Sequence, residues 1–132
     1  MPSDTPTSSS SFEDRRDYYR INVVLPISIQ TETDTTEGEL REKSINISGG
    51  GIGVPVNVRY NPNEVLSLTL LLPGQVIFKA YIEVLRLEPI THHVHTYRLH
   101  ARFVRMTTQN RELLIRYIMR FQRDHLERHY SA

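Results

Sequence analysis

Two short clusters hold the residue types that could do chemistry. The first is Arg16-x-x-x-Arg20, with Arg15 directly before it. A guanidinium is a planar fork of five donors. It can grip two phosphate oxygens, grip the O6 and N7 acceptors of guanine, or stack on a base. The second cluster is Asn46-Ile47-Ser48-Gly49-Gly50-Gly51, which gathers an amide, a hydroxyl and three glycines. Asn46 and Ser48 are two apart, so an extended backbone would point both to one side. Gly51 could take a positive φ or let a ligand approach the backbone. Each cluster alone also has a plainer reading. The arginines fit a solvated basic juncture, and the second cluster fits a glycine turn whose Asn and Ser bond local backbone groups.

Other polar groups offer less. His92, His93 and His95 invite a metal reading, with His93 and His95 on one strand face, but no third ligand has identifiable spacing. Ser48 lacks recognisable His and Asp partners for a hydrolase triad. No phosphate-cradling or dinucleotide fingerprint follows a strand and opens a helix. The helical arginines Arg111, Arg116, Arg120 and Arg123 read as the solvated face opposite Leu114 and Ile118. No catalytic residues and no metal site are assigned, and the chain reads as a non-enzyme.

The elements that must carry the two clusters follow from periodicity. Val23, Leu25, Ile27 and Ile29 alternate with Asn22, Val24, Pro26, Ser28 and Gln30, the period-two pattern of a half-buried strand. Pro26 lacks an amide hydrogen and suggests an edge or bulge. Glu32–Glu37 with Gly38 reads as a turn. A second strand over 39–47 ends at the glycine cluster, and a third covers 52–58. Leu66, Leu68, Leu70 and Leu72 form a fourth alternating face, and Pro73-Gly74 supplies a turn. Val76, Phe78, Ala80, Ile82 and Val84 share one face of a long fifth strand. The chain returns as a hairpin with Tyr97, Leu99, Ala101 and Phe103 inward and Arg98, His100 and Arg102 outward. Near Thr107 the period changes. Leu114, Ile118, Phe121 and His125, flanked by Leu113 and Tyr117, predict an amphipathic helix with Thr107 or Thr108 as its N-cap. Six strands and one terminal helix predict a mainly β fold, a small six-stranded antiparallel barrel with the helix over a face or an open end.

With 132 residues, 39% hydrophobic and 23% charged, the chain is sized for one packed domain. Residues 1–14 hold five Ser, two Pro and little to bury, and read as a flexible tail before a single domain over 15–130. Sixteen Lys and Arg against fifteen Asp and Glu give a net charge of +1, which argues against a protein that coats DNA or RNA. Neutrality hides asymmetry. The tail carries Asp4, Glu13 and Asp14 with no base, whereas residues 98–128 carry eight arginines and three acids. Cysteine is absent, which excludes disulfides and a thiol nucleophile and fits a reducing compartment. The longest apolar run, 65–73, is far short of the ~20 residues needed to span a bilayer. A cytoplasmic protein with no membrane insertion is expected.

The two clusters, in this order and with a barrel around them, resemble the PilZ domain family. Its pattern is Arg-x-x-x-Arg before the first strand and Asp/Asn-x-Ser-x-x-Gly about thirty residues later, here Arg16/Arg20 and Asn46/Ser48/Gly51. Tyr19-Arg20-Ile21, Gly51-Ile52-Gly53-Val54 and Ala101-Arg102-Phe103 before the terminal helix extend the likeness over about residues 12–128. The resemblance implies a receptor for cyclic di-GMP, with no cofactor besides that ligand. Arg16 and Arg20 would carry most of the binding, and Asn46, Ser48 and Gly51 would shape the floor under a guanine edge. Arg15 stands where the family's stacked ligand dimer is favoured, so two ligands per domain are implied. Many members have Asp where this chain has Asn46, which implies altered affinity, since Asn has one carbonyl acceptor. The signal would pass to a downstream protein partner. The rival is a PilZ-fold interaction adaptor that does not bind nucleotide, but such an adaptor should lack one of the two clusters.

Overall fold

The computed structural model describes residues 19–34 and 38–130. Among the described residues six strands precede a single helix: β1 (Ile21–Thr31), β2 (Arg41–Ile47), β3 (Gly51–Val56), β4 (Val65–Leu72), β5 (Val76–Pro89) and β6 (Tyr97–Arg105). The helix is α1 (Thr108–Tyr130). Every pairing is antiparallel, and the strands close in the order β1-β2-β3-β6-β5-β4. The expected small barrel with a terminal helix is what forms.

The alternation sets which side chains fill the interior. Leu25, Ile27, Ile45, Ile47, Leu66, Leu68, Leu70, Phe78, Ile82, Val84 and Leu99 are buried, and most of their chain neighbours turn outward, Ser28 and Ser48 being buried as well. Closure leaves no unpaired edge strand. Pro26 therefore does not lie on an edge strand. It sits one residue before β1 begins to pair with β4 at Ile27↔Leu70, where a missing N–H costs least. Pro73-Gly74 makes the expected turn, with Gly74 at φ 85°.

Antiparallel pairing puts the start of β1, the β2–β3 turn, the β4–β5 turn and the end of β6 at one end of the barrel. The helix leaves β6 at that end and covers it. Leu114 and Ile118 are buried in the barrel core, and Asn110 Oδ1 accepts from the Lys79 N–H at 2.9 Å. Thr107 is the N-cap, its Oγ1 accepting from the Asn110 N–H at 3.1 Å. The helix runs longer than its apolar pattern. His125, expected on the buried face, is exposed and stacks on the half-buried Phe121 ring.

One further expectation changes. His93 and His95 lie in the loop between β5 and β6, not on a strand, and His92 and His95 both have positive φ. Within the predicted Glu32–Gly38 turn, the Asp34 carboxylate accepts from the Thr31 N–H at 3.0 Å, and residues 35–37 lie outside the described set. The tail expected over 1–14 lies outside it as well.

Candidate ligand-binding site

Strand register assembles this site. Ile21, the first residue of β1, pairs with Ile47, the last of β2, and Asn22 pairs with Asn46. Arg20 stands one residue outside the ladder, on the same outward parity as Asn22. It is exposed, and its Nη1 donates to Asn46 Oδ1 at 2.7 Å. The other end of that amide is also held, with Asn46 Nδ2 donating to Asn22 Oδ1 at 2.9 Å. One of the five guanidinium N–H donors is spent in this ladder.

The β2–β3 turn begins beside the ladder. Ser48 is fully buried, so it does not share the outward side of Asn46 as an extended backbone would require. Its N–H donates to Gly51 O at 3.0 Å, and its Oγ accepts from the Gly50 and Gly51 N–H groups at 3.1 and 3.2 Å. The hydroxyl therefore folds the turn inward, in the role of a local backbone partner. Gly50 O accepts from Phe103 N–H at 3.0 Å, which ties the turn to the end of β6. Gly51 is required for a different reason than a positive φ. A Cβ there would lie 2.5 Å from the Ala101 carbonyl oxygen, so only glycine lets β3 and β6 close at this point.

Beyond β3, two outward residues of β6, His100 and Arg102, face carboxylates. His100 Nε2 lies 2.6 Å from Glu88 Oε1, and Arg102 donates from Nε and Nη2 to Glu83 Oε1 at 2.7 and 2.6 Å. Arg20 differs. Among the described residues no carboxylate pairs with it, and its partner is a neutral amide. Among the described residues its positive charge is thus oriented by a neutral amide and not by a carboxylate, which suits an anionic ligand. No group of three His, Cys, Asp or Glu able to hold a metal occurs among the described residues.

The fold brings Arg20, Asn46 and the Ser48–Gly51 turn to one barrel end. Arg15 and Arg16 lie outside the described residues. Asn22 was missed from sequence, where it reads as one more polar position of β1. Only the β1–β2 register puts it opposite Asn46.

The family model of the PilZ domain matches residues 14–120 of this chain. The chain belongs to the PilZ domain family. PilZ structures are also its neighbours in fold. The inhibitor of motility MotI/DgrA from Bacillus subtilis is 22% identical with a TM-score of 0.64, over 80% of this chain and 50% of that one. This chain thus spans about half of that protein. A Xanthomonas campestris PilZ protein, described as a tetramer assembled through a helical bundle, is 14% identical with a TM-score of 0.65, over 81% and 89%. The PilZ domain of Escherichia coli YcgR, solved with c-di-GMP, is 16% identical with a TM-score of 0.62, over 89% and 99%. At these identities the structures establish a shared fold. Comparison with curated proteins gives no match. PilZ domains form a family of cyclic di-GMP receptors and effectors, and no helix among the described residues is long and apolar enough to cross a membrane.

Proposed function

We propose that this PilZ domain is a cytoplasmic receptor that binds cyclic di-GMP at the barrel end covered by α1 and relays the signal to a protein partner. The observation that carries this reading is Arg20, exposed, held by Asn46 at 2.7 Å and left without a neutralising carboxylate among the described residues. Cyclic di-GMP is a dianion with two guanine rings. A held guanidinium can fork onto its phosphate or onto a guanine Hoogsteen edge with little loss of freedom on binding. Arg16 is assigned the same duty, and Arg15 favours a second stacked ligand. Ser48 and Gly51 contribute by building the turn beside Arg20 rather than by offering side-chain atoms. Asn46 holds Arg20 and keeps one free lone pair towards the ligand.

Calorimetric titration with cyclic di-GMP, with GMP and cyclic AMP as controls, tests the assignment. Saturable binding of the cyclic dinucleotide and none of the controls is expected. No binding of any of the three would leave the nucleotide-free adaptor in its place.

A further inference from the structure

We infer that Asn22 is a positioning residue for ligand binding, because it anchors the far end of the Asn46 amide whose carbonyl oxygen holds Arg20. This rests on the reading of Arg20 as a ligand contact, but its geometry belongs to the protein alone.

An asparagine amide is nearly symmetric in shape and opposite in polarity at its two ends. Turned one way, Asn46 offers Oδ1 to the guanidinium of Arg20. Turned the other way, it presents an N–H donor to a group that has only donors. The guanidinium requires Oδ1 towards it, and the other end of the amide is then held by Asn22 Oδ1, 2.9 Å from Asn46 Nδ2. The three residues form one directional chain, with Arg20 Nη1 donating to Asn46 Oδ1 and Asn46 Nδ2 donating to Asn22 Oδ1. Each link polarises the next. Asn22 and Asn46 are direct cross-strand partners on rigid β backbone, so the far anchor does not drift. Arg20 stands outside the ladder, where backbone pairing no longer holds it. Its side chain is aimed by this chain of amides.

The consequence is specific to this sequence. A carboxylate at position 46 would face Arg20 with oxygen in either orientation and would need no far-side acceptor. An amide there needs one, and Asn22 supplies it.

The test has two independent readouts on the full chain. The first uses no ligand: 15N relaxation of the Arg20 Nε. In the unaltered chain this group should be as rigid as the adjoining β1 backbone. In Asn22→Leu it should move like a free surface arginine, and in Asn22→Asp, which keeps the acceptor, rigidity should return. Asn22 is exposed, so the thermal midpoint of Asn22→Leu should match the parent. The second readout is affinity for cyclic di-GMP. Asn22→Leu should bind about three- to tenfold more weakly, and Asn22→Asp like the parent. Asn22→Leu should have no further effect in an Arg20→Ala background, since the two act as one unit. Equal mobility of Arg20 in the parent and in Asn22→Leu would overturn the inference. So would unchanged affinity of Asn22→Leu where Arg20→Ala weakens binding. If the parent does not bind cyclic di-GMP, the proposed function and the role in binding both fall, while the relaxation data separately decide whether Asn22 aims Arg20.

Discussion

Arg20 and Asn46 are 26 residues apart in the chain and 2.7 Å apart in the fold. One belongs to the arginine cluster and the other opens the glycine cluster. Their hydrogen bond joins the two clusters at the barrel end where α1 seals the core.

Replacing Arg20 should therefore weaken binding without unfolding the domain. Losing a charge-assisted contact costs roughly 1.5–3 kcal/mol, about 10- to 150-fold in affinity. Arg20→Ala should show that loss in calorimetry with an unchanged thermal midpoint, and Arg16→Ala should behave alike. Unchanged affinity in both variants would remove the site assignment.

At Asn46 the two obvious variants should part ways. Asn46→Leu deletes both hydrogen bonds of the amide and should weaken cyclic di-GMP binding. Asn46→Asp keeps an acceptor for Arg20, offers a second acceptor oxygen to a guanine edge and should bind as tightly as the parent or more so. Asn22 must then turn its own amide to donate. In an Asn22→Asp background two carboxylates would face each other, and the benefit of Asn46→Asp should vanish. Titrations of the single and double variants decide this.

The β2–β3 turn should prove to be a stability element. Ser48→Ala leaves the Gly50 and Gly51 N–H groups without their side-chain acceptor at a buried place, a loss of roughly 1–3 kcal/mol. Gly51→Ala drives a methyl against the Ala101 carbonyl and should lower stability as well. Gly53→Ala is the control, since a Cβ there meets nothing nearer than 3.7 Å. Urea unfolding should order the three variants with Gly53→Ala close to the parent. A Gly51→Ala variant as stable as Gly53→Ala would contradict the close approach of β3 and β6.

Alkaline stability should follow two tyrosines. Burial raises the Tyr117 phenol above its ordinary value of about 10, and burial with the Glu64 and Asp34 charges raises that of Tyr60. Above pH about 10 the unfolded chain gives up these protons first, so the phenols' contribution is full below that pH and is lost as pH rises through the folded values. Lys43 acts with the opposite sign. Its folded pKa is lowered by burial and by Arg41, so stability gains as pH rises towards the free lysine value. Tyr117→Phe and Tyr60→Phe should each flatten the fall of the unfolding midpoint above pH 10. An identical fall in parent and variants would show that other groups govern it.

β1 and β4 were legible because each carries a period of two, from Val23 to Ile29 and from Leu66 to Leu72. The helix was legible from Leu114 and Ile118. What the sequence could not convey depends on register and closure. Asn22 becomes a partner of Asn46 only once β1 and β2 are aligned. The inward turn of Ser48 departs from strand alternation because its hydroxyl finds two amides within its own turn. The need for glycine at 51 comes from Ala101, fifty residues on, and has no local signature. Pro26 misled because a closed barrel has no edge strand, although it does have places where one neighbour's pairing has yet to begin. The histidines near 92–95 kept their alternation on paper but fall in a loop, where positive φ ends the strand.

Amide hydrogen exchange with and without cyclic di-GMP tests the central claim most directly, because it reports binding and its place together. Protection should rise at residues 16–21 and 47–51 and stay unchanged at residues 57–64, which connect β3 to β4 at the opposite end of the barrel. Saturable binding with no gain at either of the first two segments, or with gains confined to the opposite end, would contradict a site built from Arg20, Asn46 and the Ser48–Gly51 turn.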